Sequence, residues 1–138
     1  MKKVYFACSI AGGRDHAHVY SDIVEYIKNA GAEVLSELFA DKNLVSEVGT
    51  DKSPEFIWKR DVSWVKEADY IVAEVTQPSL GVGYELGISE MLNVPILALF
   101  DDSSGRRLSP MVNGNPNLEV FTYREISETK EIISNFLV

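Results

Sequence analysis

The chain has one cysteine, Cys8, in 138 residues. A single thiol closes no internal disulfide, so the fold must rest on its core. It also suits a reducing compartment, and we expect a cytoplasmic protein. No apolar run approaches the roughly 18 residues of a membrane span, which argues against a membrane protein. The opening Met1-Lys2-Lys3 is followed by a short apolar stretch and then Gly12-Gly13-Arg14, which reads as a first strand and its turn rather than an export signal. Basic residues are scarce, with 13 Lys and Arg against 21 Asp and Glu and a net charge of −8. Such a chain repels a nucleic-acid backbone unless it gathers a local basic patch. Lys2-Lys3 apart, only Lys59-Arg60 and Arg106-Arg107 are adjacent basic pairs, so no nucleic-acid partner is expected. The two histidines, His16 and His18, are spaced i, i+2 and should diverge on a helix. With no HExxH and no Cys/His cluster, no metal is expected. GxGxxG and the P-loop lysine are missing too, so neither dinucleotide nor ATP binding is supported.

What is present is a regular alternation. Hydrophobic content of 46% and charged content of 25% belong to a soluble globular protein, and the length fits a single domain over residues 1–138. Residues 3–9 are β-rich. Residues 15–30 carry Val19, Ile23, Ile27 and Ala30 on one helical face, with Gly31 as a stop. A second strand is expected over 33–38 and a loop over 41–52. Ser53-Pro54 is an N-cap followed by proline at the first helical position, so a helix should run to about Ala68. Strand 69–75, helix 84–92, strand 94–100, strand 118–122 and helix 124–136 complete the pattern. Five strands alternating with helices imply a parallel sheet covered on both faces. The expected fold is α/β, a three-layer Rossmann-like or flavodoxin-like arrangement. Residues 101–117 make a long irregular segment rich in Arg, Ser, Met and Asn, better suited to meeting a partner or substrate than to linking.

The most informative stretch is AEVTQPSLGVGYELG, residues 73–87. It runs from a strand through Pro78, Gly81 and Gly83 to Glu85, placing Glu85 in the first turn of a helix at the edge where open α/β sheets bind ligands. There the helix dipole would favour an ionised carboxylate, and for the residue alone dipole complementation is a better account than catalysis. Asp61 lies in the apolar stripe Ile57, Asp61, Trp64, Val65, Ala68, with Lys59, Arg60, Ser63, Lys66 and Glu67 on the other side. Desolvation there would raise its pKa and suit it to act as an acid, but a capped structural Asp fits the same pattern. Two carboxylates with opposite biases are what an acid and a nucleophile require, and glycosidic cleavage uses such pairs. The first strand ends in Cys8-Ser9-Ile10-Ala11-Gly12-Gly13-Arg14, which is either a phosphate cradle or a plain tight turn. Cys8 and Tyr5 sit on that strand, where packing is the default, and Glu74 is better read as a structural carboxylate than as a site residue.

Together these residues closely resemble the 2′-deoxynucleoside 5′-phosphate N-hydrolases of the nucleoside 2-deoxyribosyltransferase superfamily. The resemblance is carried by AEVTQPSLGVGYELG, Tyr5, the 9–14 loop, Asp61 before Trp64, and Ser104-Gly105-Arg106-Arg107-Leu108-Ser109. It implies cleavage of the N-glycosidic bond of a 2′-deoxynucleoside 5′-monophosphate to free base and deoxyribose 5-phosphate, without a cofactor. It further implies Glu85 as nucleophile, Asp61 as acid and Tyr5 as a positioning hydroxyl. Ser9, Ile10, Ala11, Gly12, Gly13, Ser79 and Gly81 would hold the 5′-phosphate, with Ser109 reaching in from the neighbouring subunit of a homodimer. Ala11 departs from the family, which often has Arg in that loop. A retaining mechanism would bring the two carboxyls to about 5–5.5 Å in the productive complex. The alternatives are a deoxyribosyltransferase or a CMP-type ribonucleotide N-glycosidase on the same scaffold, or a nucleotide-binding module without turnover.

Overall fold

The structure is a computed structural model that describes residues 1–10, 13–44, 47 and 50–138. Its core is a five-stranded, all-parallel sheet in the order β2-β1-β3-β4-β5. The strands are β1 (Lys3–Ala7), β2 (Glu33–Val34), β3 (Tyr70–Glu74), β4 (Ile96–Asp101) and β5 (Glu119–Tyr123). The expected parallel α/β sheet is therefore what forms. The order is flavodoxin-like, and the chain reverses its winding between β1 and β3, where such sheets open a crevice at their carboxyl ends. Tyr5 stands opposite Ile71, and Ala7 opposite Ala73, across this pair.

Helices α1 (Ala17–Asn29) and α5 (Thr129–Phe136) pack together, and α2 (Pro54–Glu67) packs on α3 (Leu80–Met91). Alternation along β1 feeds both layers. Phe6 meets Tyr20 of α1 edge-on at 5.7 Å, while Tyr5 turns the other way and reaches Glu85 of α3. Val4, Phe6, Ile71, Val72, Leu97 and Leu99 are fully buried, as expected of strands covered on both faces.

Local signals explain most boundaries. Gly31 takes φ +90, a left-handed turn that ends α1 at low steric cost. The Ser53 hydroxyl accepts from Phe56 N at 3.0 Å, and Pro54 opens α2. Asn93, at φ 59, follows α3. Three expectations are corrected. The strand over 33–38 is only two residues long, because Ser36 turns its hydroxyl onto the backbone of Phe6 and the chain enters a 3₁₀ turn, Glu37–Ala40. The helix expected from Tyr84 begins four residues earlier, at Leu80, because Ser79 caps it by accepting from Val82 N at 3.3 Å. The 101–117 segment is not wholly irregular. It holds a 3₁₀ turn, Asp102–Ser104, and a one-turn helix, α4 (Pro110–Asn113), capped by Ser109.

Glu74 is buried at the carboxyl end of β3 and accepts from Thr76 N (2.9 Å), Thr76 Oγ1 (2.8 Å) and Tyr123 OH (2.6 Å). Burial pushes its pKa up, and these donors oppose the rise. Three donors on one buried carboxyl bear out a structural role, tying β3 to β5. Cys8 is likewise buried against Phe39, and burial pushes its thiol up.

Candidate active site

The early start of α3 changes the setting of Glu85. Gly81 and Gly83 lie inside the helix, and Glu85 sits in its second turn, past the reach of the helix dipole, which fades within the first. The expected stabilisation of an ionised carboxylate does not hold. Burial instead pushes the Glu85 carboxyl up to about 8. The Tyr5 hydroxyl, donating to Oε2, opposes that rise, and the negative charge of Asp61 adds to it. Tyr5 is fully buried, and its own hydroxyl is raised by burial first and by Glu85 and Asp61 next.

Asp61 also sits above the ordinary carboxylate range, chiefly through burial. Arg60 holds it down by donating Nε–H to Oδ1 at 2.9 Å, while the charge of Glu47 pushes it up. The opposite biases expected from the sequence are therefore replaced by two raised carboxyls that repel one another. Such a pair favours one shared proton over two full charges.

The two carboxyls line one cavity of about 310 Å³. Its polar points are Asp61, Glu85, Lys52 and the backbone at Gly81. Its walls are apolar, with Ile57, Trp58 and Tyr84 among them. Trp58 Nε1 donates to Tyr84 OH at 3.3 Å, so α2 and α3 close an aromatic rim over the opening. This is a slot for a flat, largely apolar group with ionisable groups at one end.

Ser79 and Ser109 both line a second, adjoining groove of about 490 Å³ on the other flank of α3. Among the remaining expected site residues, Ser9 is buried and gives its hydroxyl to the carbonyl of Gly13. Ile10 is half-buried beside it. Ala11 and Gly12 lie outside the described residues. Gly13 has φ +122, a backbone conformation that residues with a Cβ rarely adopt, and a Cβ built there would come within 3.1 Å of Gln77 Nε2 in the β3–α3 connection. Arg106 crosses from the 101–109 segment to Asp15 (2.8 Å) and Gln77 (3.1 Å), tying three loops together at this edge. His16 precedes α1 rather than lying on it, so its ring faces His18 at 5.6 Å instead of diverging. His16 Nε2 is 3.2 Å from Asp101. Among the described residues, no group of three or more His, Cys, Asp or Glu is placed to hold a metal.

The family profile described as Nucleoside 2-deoxyribosyltransferase matches residues 4–122, a span that includes Tyr5, Asp61, Glu85 and both serines of the groove. The chain belongs to the nucleoside 2-deoxyribosyltransferase family. A 5-hydroxymethyl-dUMP N-hydrolase from Tetraodon nigroviridis is 43% identical over 138 residues, covering 97% of this chain and 96% of that protein. The 5-hydroxymethyl-dUMP N-hydrolase of Mus musculus is 46% identical over 129 residues, covering 88% and 72%. A solved CMP N-glycosidase from Clostridium botulinum shares the fold, with TM-score 0.69, 19% identity and coverage of 98% and 99%.

Within this nucleoside 2-deoxyribosyltransferase chain, helical phase alone misplaced one residue. Arg60 was expected on the solvent side of α2, yet its side chain is only 13% exposed. A helical-wheel count follows Cα positions, whereas a long Arg stem can fold back across an apolar face. Its partner Glu47, with 7% side-chain exposure, sat in a stretch that read as polar loop. The one available signal was adjacency, since Arg60 directly precedes Asp61. Trp58 and Tyr84 were also missed as a pair, because nothing in the sequence pairs a residue of one helix with a residue 26 positions later.

Proposed function

We propose that this chain hydrolyses the N-glycosidic bond of 2′-deoxynucleoside 5′-monophosphates, with 5-hydroxymethyl-dUMP and related pyrimidine nucleotides as the first substrates to try. The observation that carries the reading is one cavity holding Glu85, with Tyr5 on its carboxyl, and Asp61. In the proposed reaction Glu85 attacks the anomeric carbon, and Asp61 gives its proton to the departing base. Water then breaks the glycosyl–enzyme ester with Asp61 acting as base. A 2-deoxy sugar lacks the electron-withdrawing 2′-hydroxyl, so its oxocarbenium-like transition state is the easier one to reach. Tyr5 holds the nucleophile's carboxyl in one orientation. The names of the two hydrolase relatives and the family assignment support the same bond.

The 5′-phosphate is assigned to the start of α3, at Ser79 and Gly81, together with the 9–13 loop. Oriented backbone N–H groups suit an anion there in a chain of net charge −8. Chromatographic assay of base release across deoxyribo- and ribonucleoside 5′-monophosphates tests the reading. Release from dNMPs with a marked preference over NMPs is expected. Faster release from CMP than dCMP would sink the deoxy preference, and exchange onto an added free base would make the protein a transferase. Tight nucleotide binding with no release would leave only a binding module.

The proposed assembly is a homodimer in which Ser109 of the partner subunit completes the phosphate site. The reading is supported by the 490 Å³ groove beside Ser79, lined by Val82, Leu86 and Val112, and by the large apolar side chains at its rim. Leu80 is 94% exposed and Met111 84%, and both line this groove. Leu80→Asp should give a monomer by sedimentation and lose most base release while keeping its circular dichroism. A monomeric variant with full turnover would remove Ser109 from the site.

A further inference from the structure

Arg60 forms a fork between two carboxylates. Its Nε donates to Asp61 Oδ1 at 2.9 Å, and its Nη1 and Nη2 donate to the two oxygens of Glu47 at 2.9 and 2.6 Å. The guanidinium is seated among three rings, with Trp64 at 4.9 Å, Phe39 at 5.6 Å and Phe56 at 5.7 Å to their centroids. That box restricts the fork from swinging away, and planar, always-charged Arg fits it where Lys would not. Glu47 is further held by Lys52 at 2.8 Å, and Lys52 itself lines the cavity. A chain of paired charges therefore runs from the segment before α2 to the carboxyl placed beside Glu85.

We infer that Arg60 is a positioning residue, which fixes the Asp61 carboxyl through Nε and, by dividing its charge between Asp61 and Glu47, sets how readily Asp61 gives up its proton. The inference rests on the reading of Asp61 as the acid. Charged and titratable groups face Asp61 from every side. Arg60 is on its own helix, Glu47 and Lys52 lie in the preceding segment, Glu85 is on α3 and Tyr5 is on β1. Of these, Arg60 draws the Asp61 proton off, while Glu47 helps retain it. Removing each should therefore move Asp61 in opposite directions. A side chain with a merely structural role would give no such opposition.

The test follows the Asp61 carboxyl by ¹³C NMR from pH 3 to 9 in the full chain, with Asp61→Asn identifying its signal. The pH profile of kcat/KM for a deoxynucleoside 5′-monophosphate is measured alongside. Arg60→Gln should raise the Asp61 titration by about one unit, the low end for loss of a neighbouring guanidinium. Glu47→Gln should lower it, and the pH profile of kcat/KM should move in the same direction as each change. If Arg60→Gln loses tertiary structure, Glu47→Gln alone decides by the sign of its shift. No shift, or shifts of the same sign in both variants, overturns the inference. Opposite shifts in a protein that releases no base would instead uphold the Arg60 linkage and overturn the proposed reaction.

Discussion

Glu85→Gln should lose base release by more than about 10⁴-fold, the scale of loss when a covalent nucleophile is removed. The same variant should become more stable in alkali. The native Glu85 carboxyl titrates at about 8, against an ordinary value of 4.5. Between those values the folded state binds a proton that the unfolded chain has released, so stability falls as pH rises through this window. Well above pH 8 the cost of the buried charge is fully expressed, on the order of 5 kcal/mol. Glutamine removes that charge and still offers Tyr5 an acceptor. Thermal melts at pH 9 should therefore place Glu85→Gln above wild type by roughly 10 °C, with little difference at pH 4. Equal melts at both pH values would show that Glu85 is not desolvated, and full turnover would remove it as nucleophile.

Asp61→Asn should cost about 10²–10⁴-fold, the range for loss of a general acid. The loss should be smallest for substrates whose base leaves easily without protonation. The wild-type pH profile follows from the geometry of the pair. In the proposed reaction the pair would hold one proton, with Glu85 ionised and Asp61 protonated in the productive form. That singly protonated pair exists between the two titrations and disappears as the second proton is lost. The kcat/KM of the wild type should thus fall tenfold per unit above about pH 8, the value to which burial raises the Glu85 carboxyl. In Asp61→Asn the alkaline limb should vanish, because the remaining carboxyl is needed only in its ionised form. The activity of this variant should instead rise with pH until Glu85 is ionised. That midpoint should lie below 8, since the Asp61 charge that raises Glu85 is gone. A wild-type profile flat from pH 6 to 10 would contradict the shared proton.

The alternation of strands and helices was legible because its signals are local. Ser53-Pro54 caps and opens α2, Gly31 ends α1, and continuous apolar strands such as 96–100 can sit only inside a doubly covered sheet. The start of α3 was misplaced because Pro78, Gly81 and Gly83 read as a turn, while the Ser79 hydroxyl on Val82 N wound both glycines into the helix. That four-residue difference moved Glu85 out of the dipole's reach and inverted the expected sign of its pKa shift. The 41–52 stretch gave no hint of burial at Glu47, since it is polar in composition, and Glu47 is buried in its pairing with Arg60.

The sequence by itself determined the parallel α/β sheet and the family, and it put forward Glu85, Asp61 and Tyr5 as candidates, since periodicity, caps and the 73–87 motif are properties of contiguous residues. Only the tertiary structure decided the protonation logic. Whether a carboxyl is charged depends on the solvent it loses and on which side chains face it. Those neighbours (Tyr5 from β1, Asp61 from α2, Arg60 with Glu47 at its far end) meet across a sheet edge and a helix pair that no local pattern encodes.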